Sequence, residues 1–317
     1  MSTQGTGEVS AELSAALAAW GLQQAQVSFV AGRENRVYRV QGGGTLYALR
    51  LKRPGYRSDA ELHAELAWMA AMEQAGLQVP RPQPSSQGRL LEIIDGQRVD
   101  LLSWLPGQSL GASRAPLALA DAPAVFRRLG HETARLHQAS DAWARPAGFT
   151  RCAWDIDGLV GEAPVWGCFW ENPALDAPTR QLLQAFRGAA RRTLEQHLGT
   201  LDYGLIHADL VRENVMVDGE RIGMLDFDDA GFGFRLFDVA TTLLKNLAEP
   251  DYPALKAALL AGYTQVRPLD TELLTLFIAL RATTYVGWIV PRMAEDGSQA
   301  RNQRFIDAAR QLCAPFV

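Results

Sequence analysis

The chain has 317 residues, 48% hydrophobic and 21% charged, a globular composition with enough length for more than one core. Its 31 Lys and Arg against 35 Asp and Glu leave a formal net charge of −4, which excludes a general attraction to nucleic acid or to an anionic membrane. No apolar run approaches the roughly 20 residues of a membrane span; the opening MSTQGTGEVS lacks the regions of a signal peptide; and Cys152, Cys168 and Cys313 are dispersed without metal-ligand spacing, which together predict a cytoplasmic protein with free thiols.

Residues 9–25 carry helical periodicity through Leu13, Leu17 and Trp20. From Val27 to Lys52 the period changes to two. VSFV, RVYRV and TLYALRL read as strands separated by the turns AGREN and QGGG. Residues 58–75 read as a helix with Ser58 or Asp59 as N-cap. VPRPQP is a Pro-rich connection. LLEII and RVDLLSWL are two further strands, joined by Asp95-Gly96. The first half therefore reads β-β-β-α-β-β and ends in Pro106-Gly107. Helices are expected after it at 123–138, 177–198, 236–248, 252–265, 270–293 and 301–312. His131 and His197 fall on helix surfaces, and His137 falls on the apolar face of its helix as a buried, satisfied histidine.

The segment LIHADLVRENVMVDGERIGMLDFDDAGFG (205–233) concentrates the chemistry. Its apolar runs at 205–206, 215–217 and 222–225 read as short buried strands. The turn Asp218-Gly219-Glu220-Arg221 would close the last two into a hairpin and bring Asn214 near Asp226. A loop carrying a carboxylate and an amide would then face one carrying more carboxylates. Phosphoryl transfer from Mg-ATP needs such a set: a base for the attacking hydroxyl and oxygen ligands for the metal on the phosphates.

HADLVREN resembles the H-x-D-x-x-x-x-N catalytic loop of the aminoglycoside phosphotransferase and choline kinase superfamily, relatives of the protein kinases, and DFDD stands where those have D-F-G. The resemblance runs from about Gly32 to the last helices, and the insert at 152–173 and DFDDAGFG resemble a bacterial branch of homoserine-kinase-like or generic phosphotransferases. It implies an α+β, two-lobed kinase-like fold, with an N-lobe over 1–105 and a mainly helical C-lobe over 106–317. It implies ATP and Mg2+ as cofactors, Asp209 as catalytic base, His207 as organiser of the loop, and Asn214 and Asp226 as metal ligands. Asp228, where the kinase pattern has Gly, would be a second metal contact or a supporting carboxylate. Asp238 resembles a position that braces the catalytic loop.

In these kinases a strand lysine, paired with a helix glutamate, meets the α- and β-phosphates. The corresponding strand here is Tyr47-Ala48-Leu49-Arg50-Leu51-Lys52, with Arg50 and Lys52 on one face. Aligned through the following Arg-Pro, the lysine position falls on Arg50. A guanidinium can hold phosphate with a bidentate fork. Its helix partner would be Glu65, with Glu61 as the alternative, and Lys52 the alternative anchor. The turn AGREN would cover the nucleotide, offering Asn35 and Arg36. Adenine would take backbone hydrogen bonds between Ser103 and Leu105, beside Trp104.

The acceptor is expected to be a small-molecule hydroxyl compound. The insert CAWDIDGLVGEAPVWGCFWENP supplies Trp154, Trp166 and Trp170 with Asp155, Asp157, Glu162 and Glu171. Aromatics and carboxylates would suit a cationic acceptor, an aminoglycoside or amino alcohol; the same tryptophans would equally form a small core under the insert. Two other readings stand beside this one. A stress-response-type bacterial protein kinase shares the catalytic loop, but the short span from Asp226 to the next helix argues against it. A nucleotide-binding pseudokinase rests only on Arg50.

Overall fold

Ser10 accepts from the Leu13 N–H at 3.3 Å and caps α1, Ala11–Ala19. The helix is shorter than its periodicity suggests. Trp20 is its C-cap, Gly21 takes a positive φ of 68°, and the Trp20 indole donates to Gln83 O at 2.9 Å. This is a computed structural model, and it describes residues 10–32 and 35–317. Residues 1–9 of the opening segment that was weighed as a signal peptide, and Arg33 and Glu34 at the centre of the AGREN turn, lie outside the described residues.

Strands β1 (Gln26–Gly32), β2 (Asn35–Gly42) and β3 (Thr45–Lys52) are followed by helix α2 (Asp59–Gln74), β4 (Glu92–Ile94) and β5 (Gln97–Ser103). They form one antiparallel sheet in the order β1-β2-β3-β5-β4, so β3 is central. Ser58 and Glu61 build a complete capping box at the start of α2. Asp95 and Gly96, at φ 48° and 83°, make the two-residue turn from β4 to β5, the left-handed conformation that Asp-Gly favours. β5 stops at Ser103, earlier than the apolar run RVDLLSWL suggests. The alternation of β3 divides its side chains cleanly. Leu49 and Leu51 join Val40, Val99 and Leu101 with Leu13, Ala16 and Leu17 of α1 in one core. Arg50 and Lys52 take the other face, which carries the carboxylates of Glu65 and Asp100.

The rest is mainly helical: β6 (Gln108–Ser109), α3 (Ala122–Ala142), β7 (Ala153–Trp154), α4 (Ile156–Val160), α5 (Ala177–His197), β8 (Tyr203–Ile206), β9 (Val215–Asp218), β10 (Arg221–Met224), β11 (Gly231–Phe234), α6 (Arg235–Leu244), α7 (Tyr252–Thr264), α8 (Leu274–Trp288) and α9 (Ser298–Cys313). Two small sheets, β10-β9-β6 and β7-β11-β8, carry the loops of the HADLVREN–DFDD segment. Helix α3 runs one turn beyond its expected end. Helix α6 stops earlier than expected, and α8 begins at Leu274 and passes into a 3-10 turn, Val290–Arg292, at Pro291. The short β6, β7, β11 and α4 carry too few residues to show a period in the sequence. The chain divides into two units. One runs up to Pro106 and includes Arg145–Thr150; the other holds Gly107–Ala144 and Arg151–Val317. The class is α+β. Among the described residues no helix is long and apolar enough to cross a membrane.

Helices α3 and α7 approach so closely that neither tolerates a side chain at the crossing. A Cβ on Gly130 would stand 1.9 Å from Leu259 O, and one on Gly262 would stand 1.8 Å from Arg127 O. Alanine at Gly130 would gain about 1 kcal/mol of helix propensity, but it forces two backbones apart. Gly130→Ala is therefore expected to lower the unfolding free energy by about 2 kcal/mol or more. Urea unfolding checks this; an unchanged or raised midpoint would contradict the close approach.

Candidate active site

Strand β8 ends at Ile206 and delivers His207, Ala208 and Asp209 into a loop held from below by Asp238 of α6. Asp238 Oδ2 accepts from His207 N at 2.8 Å, and Oδ1 accepts from Ala208 N at 2.6 Å. Ala208 has a φ of 65°, a conformation costly for a residue with a Cβ, so these two bonds hold a strained backbone in place. The His207 ring ties two loops together. Its Nε2–H donates to Leu225 O at 2.8 Å, its Nδ1 accepts from Asp209 N at 3.3 Å, and its ring centroid lies 4.6 Å from that of Phe227. Burial lowers its pKa, which suits this neutral tautomer.

The side chain of Asp209 is partly exposed and is gripped on both oxygens. Arg281 Nη2 donates to Oδ1 at 2.5 Å, and Asn214 Nδ2 donates to Oδ2 at 3.0 Å and to the Asp209 carbonyl at 2.9 Å. Both amide protons of Asn214 are thus used, which turns its Oδ1, an acceptor, outward as a possible cation ligand. Asn214 ends a 3-10 turn, Arg212–Asn214, anchored by buried Arg212, which donates to Asn246 Oδ1, Ala115 O and Glu249 Oε1 at 2.9, 2.6 and 2.5 Å.

The β9–β10 hairpin joins this turn to the DFDD loop. Asp218 pairs with Arg221 across a Gly219-Glu220 turn, and at the open end Leu225 N donates to Asn214 O at 2.8 Å. Asp226 follows at once, exposed, with a φ of 62°. Asp228 is buried. Arg151 clamps the loop backbone, donating from Nε to Ala230 O (2.6 Å) and from Nη2 to Phe227 O (2.9 Å) and Asp228 O (2.7 Å). Trp154 Nε1 donates to Asp229 O at 2.9 Å and Trp166 Nε1 to Asp229 Oδ1 at 3.2 Å. Among the described residues no three His, Cys, Asp or Glu side chains form a ready-made metal cluster. One exposed carboxylate and one outward amide oxygen fit instead a magnesium ion that takes most of its ligands from phosphate and water.

The insert is used internally. Asp155 caps α4 through Gly158 N at 2.8 Å, Asp157 pairs with Arg191 at 3.1 Å, and Glu162 pairs with Arg187 at 2.5 Å. The Arg187 guanidinium lies 3.9 Å from the centroid of Trp170, and Trp154 is buried against Phe237 at 5.2 Å. Asp157, Glu162 and Trp170 thus meet arginines of α5, while Asp155 serves as a helix cap.

In the other unit, Arg50 and Lys52 are both buried, at 5% and 4% exposure, which excludes a solvated edge face. Arg50 makes a bidentate bond to Asp100 (Nε–Oδ1 2.7 Å, Nη2–Oδ2 3.0 Å) and donates to Glu65 at 2.8 Å; Lys52 Nζ stands 3.2 Å from Glu65 and 3.5 Å from Asp100. Asp100 is a partner that sequence reasoning had read only as part of the strand RVDLLSWL. Of the amides expected to meet adenine, Ser103 N donates to Arg81 O (2.8 Å) and Trp104 N to Leu46 O (3.2 Å), so neither N–H is open to it; among the described residues the Leu105 N–H has no protein partner. Trp104 is half-buried beneath Arg39, 5.8 Å away. Arg36, expected at the nucleotide lip, is tied to Glu12 of α1 by bonds of 2.9 and 2.7 Å, while Asn35 opens β2 opposite Lys52.

Residues 26–273 match the family model of the phosphotransferase enzyme family. The chain belongs to that family. Its relatives include a homoserine kinase of Sinorhizobium medicae, 31% identical over 76% of this chain and 70% of that one. A solved aminopropanol kinase associated with a microcompartment is 28% identical, with a TM-score of 0.83 over 95% of both chains. A solved amicoumacin kinase, complexed with AMP-PNP and Ca2+, shares the fold at a TM-score of 0.74 and 23% identity over 94% of this chain and 92% of that one. The architecture of this phosphotransferase is the two-lobed, kinase-like one of those neighbours.

Sequence reasoning missed four arginine or carboxylate partners in the phosphotransferase: Arg281, Arg151, Arg212 and Asp100. Arg281 in FIALRATTYVGW and Asp100 in RVDLLSWL sit inside apolar stretches, where a charge is a signal of pairing; Arg212 in HADLVREN carries no such signal. The brace below the loop extends further: His137 Nε2–H donates to Asp238 Oδ2 at 2.9 Å, and Tyr263 OH donates to His137 Nδ1 at 2.8 Å. Burial lowers the His137 pKa more than the bond to Asp238 raises it, to about 4. Burial also pushes the Asp238 carboxyl up, but its hydrogen bond from His137 and its other donors outweigh this and its pKa is lowered.

The unfolded chain protonates His137 near its ordinary value of about 6.5, and the fold does not until about pH 4. Unfolded chains therefore bind an extra proton across that window. Stability is complete above about pH 6.5 and is lost as pH falls toward 4, by up to about 3 kcal/mol from this group. Urea unfolding between pH 7.5 and 4 should show that slope, and His137→Gln should flatten it by about one proton. An equal slope in the variant would refute the assignment.

Proposed function

We propose that this phosphotransferase moves the γ-phosphoryl group of Mg-ATP to a hydroxyl group of a small molecule. The observation that carries the reading is the carboxylate of Asp209, partly exposed, fixed on both oxygens, and joined through Asn214 and the β9–β10 hairpin to the exposed Asp226. Asp209 would orient the acceptor hydroxyl and take its proton, a transfer that comes late when the phosphoryl transition state is loose. Asn214 Oδ1 and Asp226 would hold magnesium, which when bound neutralises charge on the β- and γ-phosphates. His207 would keep both loops in register. In the other unit Arg50 and Lys52 are the phosphate anchors. Arg50 spends three nitrogens on carboxylates, and the Lys52 ammonium stands 3.2 Å from Glu65 and 3.5 Å from Asp100, so both cations are held toward the same two acids. The Leu105 N–H is the amide left for adenine.

For the acceptor we favour an amino alcohol or homoserine-like compound, on the strength of the homoserine kinase and aminopropanol kinase relatives. A protein acceptor is disfavoured: β11 begins at Gly231 and α6 at Arg235, so no long activation segment follows Asp226.

Magnesium-ATP at about 100 times its Kd should raise stability by roughly 2.7 kcal/mol, and a chelator should abolish the rise. Asp209→Ala should keep that rise and lose turnover by about 10²- to 10⁴-fold, measured as ADP release with L-homoserine and 1-amino-2-propanol. Wild-type turnover in the variant, or no stabilisation of the wild type by Mg-ATP, would refute the reading.

A further inference from the structure

Arg281 lies on α8, fully buried, and its one ionic partner among the described residues is Asp209. Burying a guanidinium costs several kcal/mol unless its donors are met. Here they are met poorly. Nη2 spends one proton on Asp209 Oδ1 at 2.5 Å and the other on Tyr285 OH at 2.9 Å. Nε and Nη1 are buried without a hydrogen-bond partner. The same chain shows what a pair arranged for stability looks like: Arg50 grips Asp100 with two parallel bonds of 2.7 and 3.0 Å.

What fixes Arg281 instead is aromatic. Its guanidinium carbon stands 4.4 Å from the centroid of Trp166, 4.4 Å from that of Tyr285 and 5.3 Å from that of Phe237. Three rings from the insert, α8 and α6 set the plane and position of the cation. Only Nη2 projects from this cage onto the carboxylate. Asn214 holds the other oxygen at 3.0 Å, so the carboxylate cannot rotate without breaking one bond or the other.

We infer that Arg281 is a positioning residue for Asp209: the aromatic cage of Trp166, Phe237 and Tyr285 sets the guanidinium, and the guanidinium sets the direction in which the carboxylate meets the acceptor hydroxyl. The inference rests on the proposed role of Asp209. It explains an arrangement that stability alone does not, a buried cation with one prong engaged and two nitrogens unmatched.

A double-mutant cycle tests it. ADP release from Mg-ATP is followed with L-homoserine or 1-amino-2-propanol, whichever is turned over, or with water as acceptor if neither is. Arg281→Met should lower kcat by about 100-fold, the loss that a misplacement of about 1 Å brings, with KM for Mg-ATP changed less than about threefold. Arg281→Lys should recover part of the loss. In an Asp209→Asn background Arg281→Met should have no further effect, because a residue that acts only through Asp209 has nothing left to position. An equal fractional loss in both backgrounds, or an unchanged kcat in Arg281→Met, overturns the inference. If Arg281→Met does not fold, Arg281→Lys runs the same cycle with the charge kept. An Asp209→Asn variant with wild-type kcat would instead sink the reading of Asp209, so the two failures are told apart.

Discussion

Three N–H groups converge on the buried carboxylate of Asp238: two from the backbone at His207 and Ala208, and one from the ring of His137. The backbone at Ala208 would relax out of its left-handed conformation if those bonds were lost. That would carry Asp209 away from Asn214 and Arg281, and His207 away from Leu225. The candidate site is thus downstream of one ionised group in the core of the helical unit. Its charge is balanced by donors rather than by a cation, because the histidine beside it is kept neutral by burial. Tyr263 and His137 form the outer links of the same chain, so α3, α6 and α7 all meet at one acid.

Buried charge is handled differently at each place it occurs. The Arg50, Lys52, Glu65 and Asp100 group is two cations against two carboxylates, balanced and fully inside. Arg151 donates to three carbonyls of the DFDD loop, which makes it a clamp on that backbone. Arg281 meets rings, one carboxylate oxygen and one hydroxyl. Replacing any of the three by lysine would remove the planar, multi-pronged geometry that each depends on in its own way.

Much of this was legible from the chain alone, for identifiable reasons. Strands β2 and β3 alternate in polarity, α2 opens with a Ser-x-x-Glu box, and HADLVREN and DFDD place their polar residues at fixed spacing, so local pattern and final structure agree. The apolar–charged alternation of β3 also gave the pairing of Arg50 and Lys52 on one face. What was hidden depends on long-range contact. Asp100 is 50 residues from Arg50 and Arg281 is 72 from Asp209, and no local period announces either partner. The pairing of two insert carboxylates was equally unreadable: Asp157 and Glu162 meet arginines of α5, whose outward helix positions look merely solvated. Helix α1 ends beside left-handed Gly21 and α8 passes into a 3-10 turn at Pro291, stops set by backbone chemistry rather than by loss of periodicity.

The β9–β10 hairpin sets a further limit on how this chain can change. Asn214 stands at its start and Asp226 just past its end, and a two-residue turn at Gly219-Glu220 fixes the pairing between. A single residue inserted within either strand would send every side chain beyond it to the opposite face and break the match between amide and carboxylate. An insertion at the tip, where Gly219 and Glu220 are exposed, would leave the match untouched. Length variation should therefore gather at that tip rather than in the two strands.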